Sequence, residues 1–365
     1  MSKRIYSIDS FRAIGMVFIV MIHTHPFEGL GYSWNALNLV IRSVAGFAVP
    51  LFFVISGILF AQKYERGSSW KYLKQYISKV ASIYLFGMLL YLPITLMRSA
   101  ATAYVSGSSV PAAVVSRFYS TLSPLGLVYY GDSVSPIFWF LPALIFSVVL
   151  LFVFLELGAG KWTFTAAAAF HSVGLLTTTY GLFDLRLNTT DALFYGFFYV
   201  SLGFFLKRWE LPSSRKHSNK FLFATVASAI LLVVEQYTLN YLWTGQSLTG
   251  GTNVAKYTVG TFLLVFSVSM FVLSRPTLGQ GTRLPELGTL SVGIYVVHPS
   301  ILYSLTALSE FAKMSGVNIE QTIIWHLLLT PVVFLGALGI YVVFDKLDII
   351  DSGGSHIPFR AWFST

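Results

Sequence analysis

Long apolar segments recur along the whole chain, and they constrain what it can fold into. A helix needs about 20 apolar residues to cross the hydrocarbon core of a bilayer. The chain can supply many such helices, because 55% of its 365 residues are hydrophobic and only 11% are charged. This composition is atypical of soluble domains and predicts an all-α, polytopic membrane protein. The ten predicted transmembrane segments are 11–27, 40–61, 77–97, 137–156, 162–182, 191–206, 221–243, 257–274, 287–308 and 321–344.

The distribution of basic residues predicts how the chain is oriented. With the N-terminus in the cytoplasm, 17 of the 24 Lys and Arg residues fall in cytoplasmic segments, in agreement with the positive-inside rule. We therefore expect a multi-pass protein of the plasma (inner) membrane with both termini cytoplasmic. The basic residues that give the chain its net charge of +9 then lie next to membrane lipids, and we expect no nucleic-acid partner. The basic residues assigned to the outside are Arg42, Arg98, Arg117, Arg186, Lys256 and Lys313.

Nothing in the sequence divides the chain into separate units. It has no internal repeat, low-complexity tract or linker, so we expect residues 1–365 to form a single, stand-alone membrane domain with a retained first helix. The longest outside loop is predicted at 98–136, and it is either a lid or substrate-binding element or a partly ordered connector. The absence of cysteine excludes disulfides and thiolate nucleophiles, and the histidine spacing matches no metal motif, so we expect no metal site.

Two ionisable residues of the first apolar segment, Arg12 and His23, have a spacing that relates them. An Arg at the centre of a membrane helix costs about 2.5–3.5 kcal/mol, which makes both residues functional candidates. Eleven residues turn an α-helix through about three full turns, so both side chains leave on one face, roughly 16 Å apart along the axis. Structural interpretations stay open, because Arg12 can snorkel or pair with Asp9 and His23 can be held by a neighbouring helix.

Four short motifs follow one another along most of the chain, over residues 9–303. The first is the Arg and the His of FRAIGMVFIVMIH, separated by ten residues. The others lie in VPLFFVISGILF, FWFLPALIF and VGIYVVHPSILY. In this order the motifs resemble those of the acyltransferase 3 family of bacterial membrane acyltransferases. The residues that match the last three motifs are Phe52, Phe53, Ser56, Gly57, Trp139, Phe140, Leu141, Tyr295, His298 and Pro299.

The resemblance implies an integral-membrane O-acyltransferase. Members of the family transfer an acetyl or other short acyl group from cytoplasmic acyl-CoA to a hydroxyl of a cell-envelope glycan, a glycolipid or lipid-linked sugar, or a small molecule. Acyl-CoA is then a co-substrate, and we expect no bound cofactor. The basic stretch before the third helix departs from the family, which is often Arg-rich there, since this chain has Lys71, Lys74 and Lys79. Lysine can steer donor phosphates but lacks the bidentate fork of arginine.

Acyl transfer to a hydroxyl needs a base, a hold on the donor and stabilisation of the oxyanion. His23 is the candidate base, because an imidazole works near neutral pH. A covalent acyl-histidine is the alternative to direct transfer, and the sequence leaves it open. Arg12 lies nearer the cytoplasm and is the candidate for holding a phosphate or the carbonyl end of the donor, with Asp9 orienting its guanidinium.

Further candidates for the donor or substrate site are His25, Ser56, Trp139, Glu235, Tyr295 and His298. His25 follows His23 by two residues, so the two share a face only if the helix ends there, which the neighbouring Pro26 favours. Tyr295 is a candidate through its motif. His171 and His326 are lone histidines in apolar segments, and we expect them to be structural.

Structural and functional interpretations compete at four of these candidates. Small residues let membrane helices approach closely, so packing is favoured over catalysis for Ser56. Trp139 fits a wall of the site or an interfacial anchor equally well. Glu235 is a charge in the seventh segment that needs a partner in either interpretation. Pro299 frees a carbonyl one turn back and favours a cavity beside His298.

Two rival functions also fit a polytopic chain. In a proton-coupled transporter or flippase, Arg12, His23, Glu235 and His298 would form the path of a proton or substrate. The lack of an internal repeat counts against this rival, since transporters often contain one. A catalytically silent scaffold is disfavoured, because it has no use for a costly Arg and His inside the membrane.

Overall fold

The computed structural model describes residues 4–65, 69–183, 188–209 and 217–347, and within these ranges the regular secondary structure is helical throughout. The all-α prediction is thereby confirmed. The α-helices are α1 (Tyr6–Thr24), α2 (Tyr32–Ala45), α3 (Ala48–Ala61), α4 (Trp70–Val105), α5 (Val110–Thr121), α6 (Phe140–Glu156), α7 (Gly160–Gly174), α8 (Phe197–Arg208), α9 (Ser218–Tyr237), α10 (Val259–Ser274), α11 (Leu284–Thr289), α12 (Ser291–Met314) and α13 (Ile323–Lys346). Short 3₁₀- or π-helical turns lie at Gly126–Tyr130, Pro136–Trp139, Leu175–Thr179, Ala192–Gly196, Thr238–Leu242, Leu248–Gly250 and Ile319–Gln321.

The helices agree with a multi-pass membrane protein. Among the described residues, seven helical stretches have the length and apolar composition to cross a bilayer, namely Tyr6–Thr24, Tyr32–Lys63, Trp70–Val105, Pro136–Glu156, Ser218–Leu242, Ser291–Met314 and Ile323–Lys346. The apolar helix Val259–Ser274 is shorter, and α7 and α8 cover the two remaining predicted segments. The number of ten crossings and the cytoplasmic placement of both termini stay predictions.

Two predicted elements differ clearly from those of the structure. The second segment, predicted at 40–61, belongs to a helical stretch that begins at Tyr32. The predicted loop 98–136 is largely helical, because α4 continues to Val105 and α5 follows it as a hairpin. The sequence chemistry explains this, since the alanines of RSAATAYV favour helix, Gly107 with φ of 68° ends α4, and Pro111 opens α5.

Helix α1 is enclosed by other helices. It packs against α2, α3, α10, α11, α12 and α13. Near its N-terminal end, Gly288 of α11 lies against the Asp9 carbonyl, so close that an added Cβ would collide with it. This packing places Arg12 and His23 of α1 in the interior of the protein.

Helices α3 and α8 approach each other through two glycines. An added Cβ at Gly57 would collide with the carbonyl oxygen of Val200, and one at Gly203 would collide with the carbonyl oxygen of Val54. Neither obstacle is a flexible side chain, so the helices must move apart to accept a methyl group. This supports the interpretation that small residues of the second motif serve close helix packing.

We expect Gly57→Ala to lower the free energy of unfolding by about 1–3 kcal/mol, the usual cost of overpacking a well-packed interior. Thermal unfolding in detergent micelles measures the effect. Gly339→Ala is the matched control, because Gly339 also lies in a helix but faces open space, and alanine there should be neutral or stabilising. Equal melting temperatures for Gly57→Ala and the wild type would refute the close contact.

Candidate active site

Arg12 and His23 line two different cavities. The His23 cavity has a volume of about 620 Å³, and the Arg12 cavity has a volume of about 990 Å³. Both cavities include Ile19, Phe140 and Tyr295 in their walls. One helix therefore carries a guanidinium into one chamber and an imidazole into the next, with three apolar or aromatic side chains between the chambers.

Basic side chains are concentrated in the walls of the Arg12 cavity. The Arg12 guanidinium lies 3.5 Å from the Asp9 carboxylate, and Asp9 also accepts a 2.8 Å hydrogen bond from Arg4. The predicted phosphate-steering residues all line the same cavity, together with one further lysine; these are Lys63, Lys71, Lys74 and Lys79. The structure thus brings together the predicted residues Asp9 and Arg12 and the lysines before and within α4.

Ser56 lies in the wall of the Arg12 cavity. Its hydroxyl donates a 2.9 Å hydrogen bond to the Phe52 carbonyl one turn earlier in α3. A hydroxyl bonded to its own helix is satisfied without a ligand. The packing interpretation of Ser56 agrees with this bond, and its position in the cavity wall also keeps it in contact range of a ligand.

The end of α1 brings His25 to the His23 cavity. The helix ends at Thr24, and His25 adopts a left-handed conformation with φ of 48°. This break removes the half-turn offset that would separate His25 from His23 in a continuous helix, and both histidines line the cavity. Phe27 is also left-handed, with φ of 68°. Non-glycine residues in this conformation are strained and concentrate at functional sites.

Glu28 anchors this strained turn. Its carboxylate pairs with the His25 ring and accepts hydrogen bonds of 3.0 and 2.9 Å from the backbone and hydroxyl of Thr252. Arg42 lies 3.6 Å away. Burial alone would raise the pKa of Glu28, but the bonds from His25 and Thr252 outweigh it and lower the pKa to about 2. The carboxylate therefore stays charged and holds the turn beside the cavity.

Glu28→Gln is expected to lower the free energy of unfolding by about 1–2 kcal/mol at pH 7, because it removes charge-assisted hydrogen bonds. Since the folded pKa lies below the ordinary value of 4.5, the stabilisation is complete above about pH 4.5 and is lost as the pH falls towards 2. The difference in melting temperature between variant and wild type should therefore shrink in that range. Glu310→Gln is the control, since Glu310 forms a 3.8 Å pair with its side chain 65% exposed and should contribute little.

His298 lies behind His23 and is fully buried, with ring centres 5.5 Å apart. Pro299 has no N–H and leaves the Tyr295 carbonyl without its helical donor. His298 Nδ1 lies 2.7 Å from that carbonyl, and because a carbonyl only accepts, Nδ1 carries the proton. The other nitrogen, Nε2, has no hydrogen-bond partner among the described residues. Proline and histidine of the last motif thus present an unprotonated ring nitrogen in the region of His23.

Tyr295 and Trp139 form parts of the cavity wall. The Tyr295 hydroxyl donates a hydrogen bond to the Ile137 carbonyl, and its ring separates the two cavities. Trp139 ends the short helix Pro136–Trp139, and the Lys256 ammonium lies 5.8 Å from the centre of its ring. Lys256 is open to the His23 cavity, and partial burial lowers the pKa of its amine. Trp139 therefore lies in the cavity wall, which is one of the two positions that the sequence left open.

Glu235 does not join the cavities. Its carboxylate accepts hydrogen bonds of 3.1 and 2.7 Å from the N–H groups of Val259 and Gly260, and one of 2.6 Å from the Tyr180 hydroxyl. It therefore satisfies the free N–H groups at the start of α10. This is a structural role, and it is the neighbouring Gln236 that lines the His23 cavity.

The two lone histidines have different surroundings. His171 stacks on Phe198, with ring centres 4.2 Å apart, and its Nδ1 lies 3.1 Å from the Phe194 carbonyl, so the structural interpretation holds. His326 lines the His23 cavity and accepts a 3.0 Å hydrogen bond from the Phe27 backbone. His326 thus supports the strained turn, a position that its apolar sequence context does not reveal.

Sequence reasoning missed several residues of the His23 cavity, namely Arg42, Lys256, Tyr303 and His326. The sequence contained a signal for two of these residues. Arg42 and Lys256 belong to the few basic residues on the predicted outside, where such residues are scarce. The aromatic Tyr303 carries no comparable signal.

Comparison with known families assigns this chain to one of them. The family model Acyl_transf_3, described as an acyltransferase domain, matches residues 5–342, nearly the whole chain. The chain belongs to the acyltransferase 3 family. The family match includes the helices that carry Arg12 and His23 and those that form the walls of both cavities.

Curated relatives of this acyltransferase 3 family member are distant. An amino-acid racemase of Enterococcus faecalis is 22% identical over 332 residues, which cover 85% of this chain and 43% of the relative. A serine/alanine racemase of Enterococcus gallinarum is 26% identical over 322 residues, which cover 83% of this chain and 42% of the relative. The chain therefore spans less than half the length of these relatives. No solved structure gives a significant match.

Proposed function

We propose that the protein is a membrane O-acyltransferase that moves an acetyl or other short acyl group from acyl-CoA to a hydroxyl. The observation that carries the proposal is the pair of adjoining cavities on one helix, one lined by Arg12 and the other by His23. Group transfer between substrates from opposite sides of a membrane needs such an arrangement, with a donor chamber and an acceptor chamber that share a wall.

The Arg12 cavity is the donor chamber. Acyl-CoA carries several phosphates and a long, thin pantetheine arm. The guanidinium and the lysines around this cavity offer charge to the phosphates, and the arm can extend along α1 towards Ile19, Phe140 and Tyr295. In the orientation that the basic residues predict, this chamber opens to the cytoplasm of a bacterial inner membrane, and both chain termini lie on the same side.

The His23 cavity is the acceptor chamber. His23 takes the proton of the acceptor hydroxyl as its oxygen attacks the thioester carbonyl. The carbon–sulfur bond then breaks, the ester forms, and the CoA thiolate leaves and takes up a proton. His298 is a positioning residue, because its buried ring packs against the ring of the base, with ring centres 5.5 Å apart. Direct transfer needs no covalent intermediate, although an acyl-histidine would use the same residue.

The acceptor is a hydroxyl compound that reaches the His23 cavity from the outer face or the membrane. The aromatic rings of Trp139 and Tyr303 line this cavity and suit the apolar faces of sugars, in keeping with a cell-envelope glycan or lipid-linked sugar. The relatives' names include a serine/alanine racemase, so free serine is a second hydroxyl acceptor worth testing. The racemase activity itself belongs to proteins more than twice as long as the matched region.

The test is acyl-CoA turnover by the purified protein in lipid nanodiscs. Release of free CoA is followed with acetyl-CoA and longer acyl-CoAs, alone, with a host-envelope extract, and with serine. Release that depends on an acceptor supports acyl transfer, and mass spectrometry of the acceptor then identifies the product. Folded protein that releases no CoA with any donor would refute the proposal and favour the transporter or flippase.

A further inference from the structure

Basic residues on the His23 side gather at cavities. Six Lys and Arg residues are assigned to this side, and Arg186 lies outside the described residues. Arg42 and Lys256 line the His23 cavity, while Arg98 and Arg117 line a second cavity of about 550 Å³. The His23 cavity also contains Glu28 and Glu320, whereas none of the described residues that line the second cavity is acidic. Since the outer face of a membrane protein is depleted of cations, the two arginines of the second cavity point to a ligand with negative charge.

The second cavity, here called the hairpin pocket, lies between α4 and α5. It shares Pro136 and Tyr303 with the His23 cavity, so a molecule can occupy both. Besides its two arginines, the pocket is rich in hydroxyls, which come from Tyr91, Thr95, Ser99, Thr102, Ser106 and Ser108. A pocket that combines guanidinium groups with many hydroxyls suits a ligand that has both charge and its own hydroxyl groups.

The arginines of the hairpin pocket have partners that use only part of their hydrogen-bonding capacity. Arg98 lies over the Tyr303 ring at 4.8 Å, donates a hydrogen bond to the Tyr91 hydroxyl, and forms a 3.8 Å ion pair with the exposed Glu310. Arg117 makes three long hydrogen bonds of 3.4–3.5 Å, two to backbone carbonyls and one to Ser120. A guanidinium has five donors in a fixed fork, so both side chains keep donors for a carboxylate or phosphate.

We propose that the hairpin pocket binds an anionic group of the acceptor, a carboxylate or phosphate on a hydroxyl-rich chain, while another unit of that chain presents its hydroxyl to His23. This inference rests on the proposed function for the role of His23, and it assigns the charge of the acceptor. Tyr303 lies between the two positions and contacts Arg98, so it links the anion subsite to the acceptor chamber.

A structural role is the alternative for Arg117. Its carbonyl bonds hold residues 133 and 134, which precede the short helix that ends at Trp139. If Arg117 served only this purpose, its loss would disturb binding of neutral and anionic ligands equally. Discrimination between charged and neutral ligands therefore separates the two roles.

The experiment measures binding to the full chain in nanodiscs of neutral lipid by isothermal titration calorimetry. The probes are trigalacturonic acid for carboxylates, a glycerol phosphate trimer for phosphates, and neutral maltotriose. We expect one anionic probe to bind at least tenfold more tightly than maltotriose, with affinity that falls as salt rises. The double variant Arg98→Gln and Arg117→Gln should lose at least tenfold of that affinity, and lysine at both positions should restore part of it.

Lys313→Gln is the matched control, because Lys313 is an exposed cation at the end of α12 on the same side and is not part of either cavity wall. The affinity of Lys313→Gln for the anionic probe should stay within twofold of the wild-type affinity. Three outcomes would overturn the proposal. They are equal affinity for anionic and neutral probes, no binding of either anionic probe to the wild type, and a loss of affinity in Lys313→Gln equal to that in the double variant.

The two proposals fail separately. Anionic binding without any acyl-CoA turnover would refute acyl transfer and leave the hairpin pocket as an anion site. Acyl-CoA turnover on neutral acceptors, with no anionic probe bound, would refute the anion subsite and leave acyl transfer standing.

Discussion

His23→Ala is expected to lower acceptor-dependent release of CoA by about 10²- to 10⁴-fold, the usual contribution of a positioned general base. The residue lines the acceptor chamber, and His298 presents an unprotonated nitrogen in its vicinity. With the imidazole removed, the hydroxyl must attack as a neutral and poor nucleophile. The measurement is the CoA release rate at saturating donor and acceptor in nanodiscs.

Two controls separate loss of the base from loss of the fold. His217→Gln removes a histidine that lines neither chamber and should keep the rate within twofold. Binding of acyl-CoA to His23→Ala should be unchanged, because Arg12 and the lysines hold the donor in the other chamber. A His23→Ala variant that keeps more than a tenth of the rate would show that another group removes the proton.

A covalent acyl-histidine makes a different prediction for the wild type. If His23 carried the acyl group, the wild type would release CoA from acetyl-CoA in a burst without acceptor, one equivalent per protein. Direct transfer gives no such burst. Mass spectrometry of the intact protein after mixing with acetyl-CoA checks for the added acetyl group.

The sequence alone predicts that Arg12 and His23 share one face of α1, because the period of an α-helix is fixed. Arg12 and His23 are eleven residues apart, and an α-helix brings such residues to one face whatever surrounds it. Pro26 likewise indicated where the helix could end, and the structure ends it at Thr24. These inferences depend on local geometry alone. The sequence does not show that the two side chains enter different cavities. The wall between the cavities comes from three separate helices, and their packing cannot be inferred from the period of one helix.

Residues that converge from distant parts of the chain were beyond sequence reasoning. Glu235 and Gln236 are neighbours in the sequence, yet one satisfies the start of α10 and the other lines the acceptor chamber. Only the packing of α9 against α10 decides between them. The position of His326 could not be predicted for the same reason, because its contact with Phe27 joins residues almost 300 positions apart. The hairpin of α4 and α5 was missed for another reason, since its hydroxyl-rich composition is typical of loops.

Arg12→Ala is expected to raise the KM for acetyl-CoA by about 10- to 100-fold while changing kcat much less. A hydrogen bond to a charged group contributes about 1.5–3 kcal/mol, and each 1.4 kcal/mol corresponds to a factor of ten. Arg12→Lys should keep part of the affinity, because the charge remains and the fork is lost. Steady-state kinetics with varied acetyl-CoA and saturating acceptor measure both parameters.

Acetyl-pantetheine, a donor without nucleotide phosphates, shows which end of the donor Arg12 holds. If Arg12 binds a phosphate, the penalty of Arg12→Ala disappears with this donor, whereas a guanidinium at the thioester carbonyl keeps the penalty. Arg4→Ala is the matched control, since Arg4 pairs with the same Asp9 but has its side chain 49% exposed, against 18% for Arg12. Because an exposed ion pair contributes little, its KM should rise less than threefold. An equal rise in Arg4→Ala would assign the effect to Asp9 and the shape of the first turn of α1, and would leave Arg12 without a direct hold on the donor.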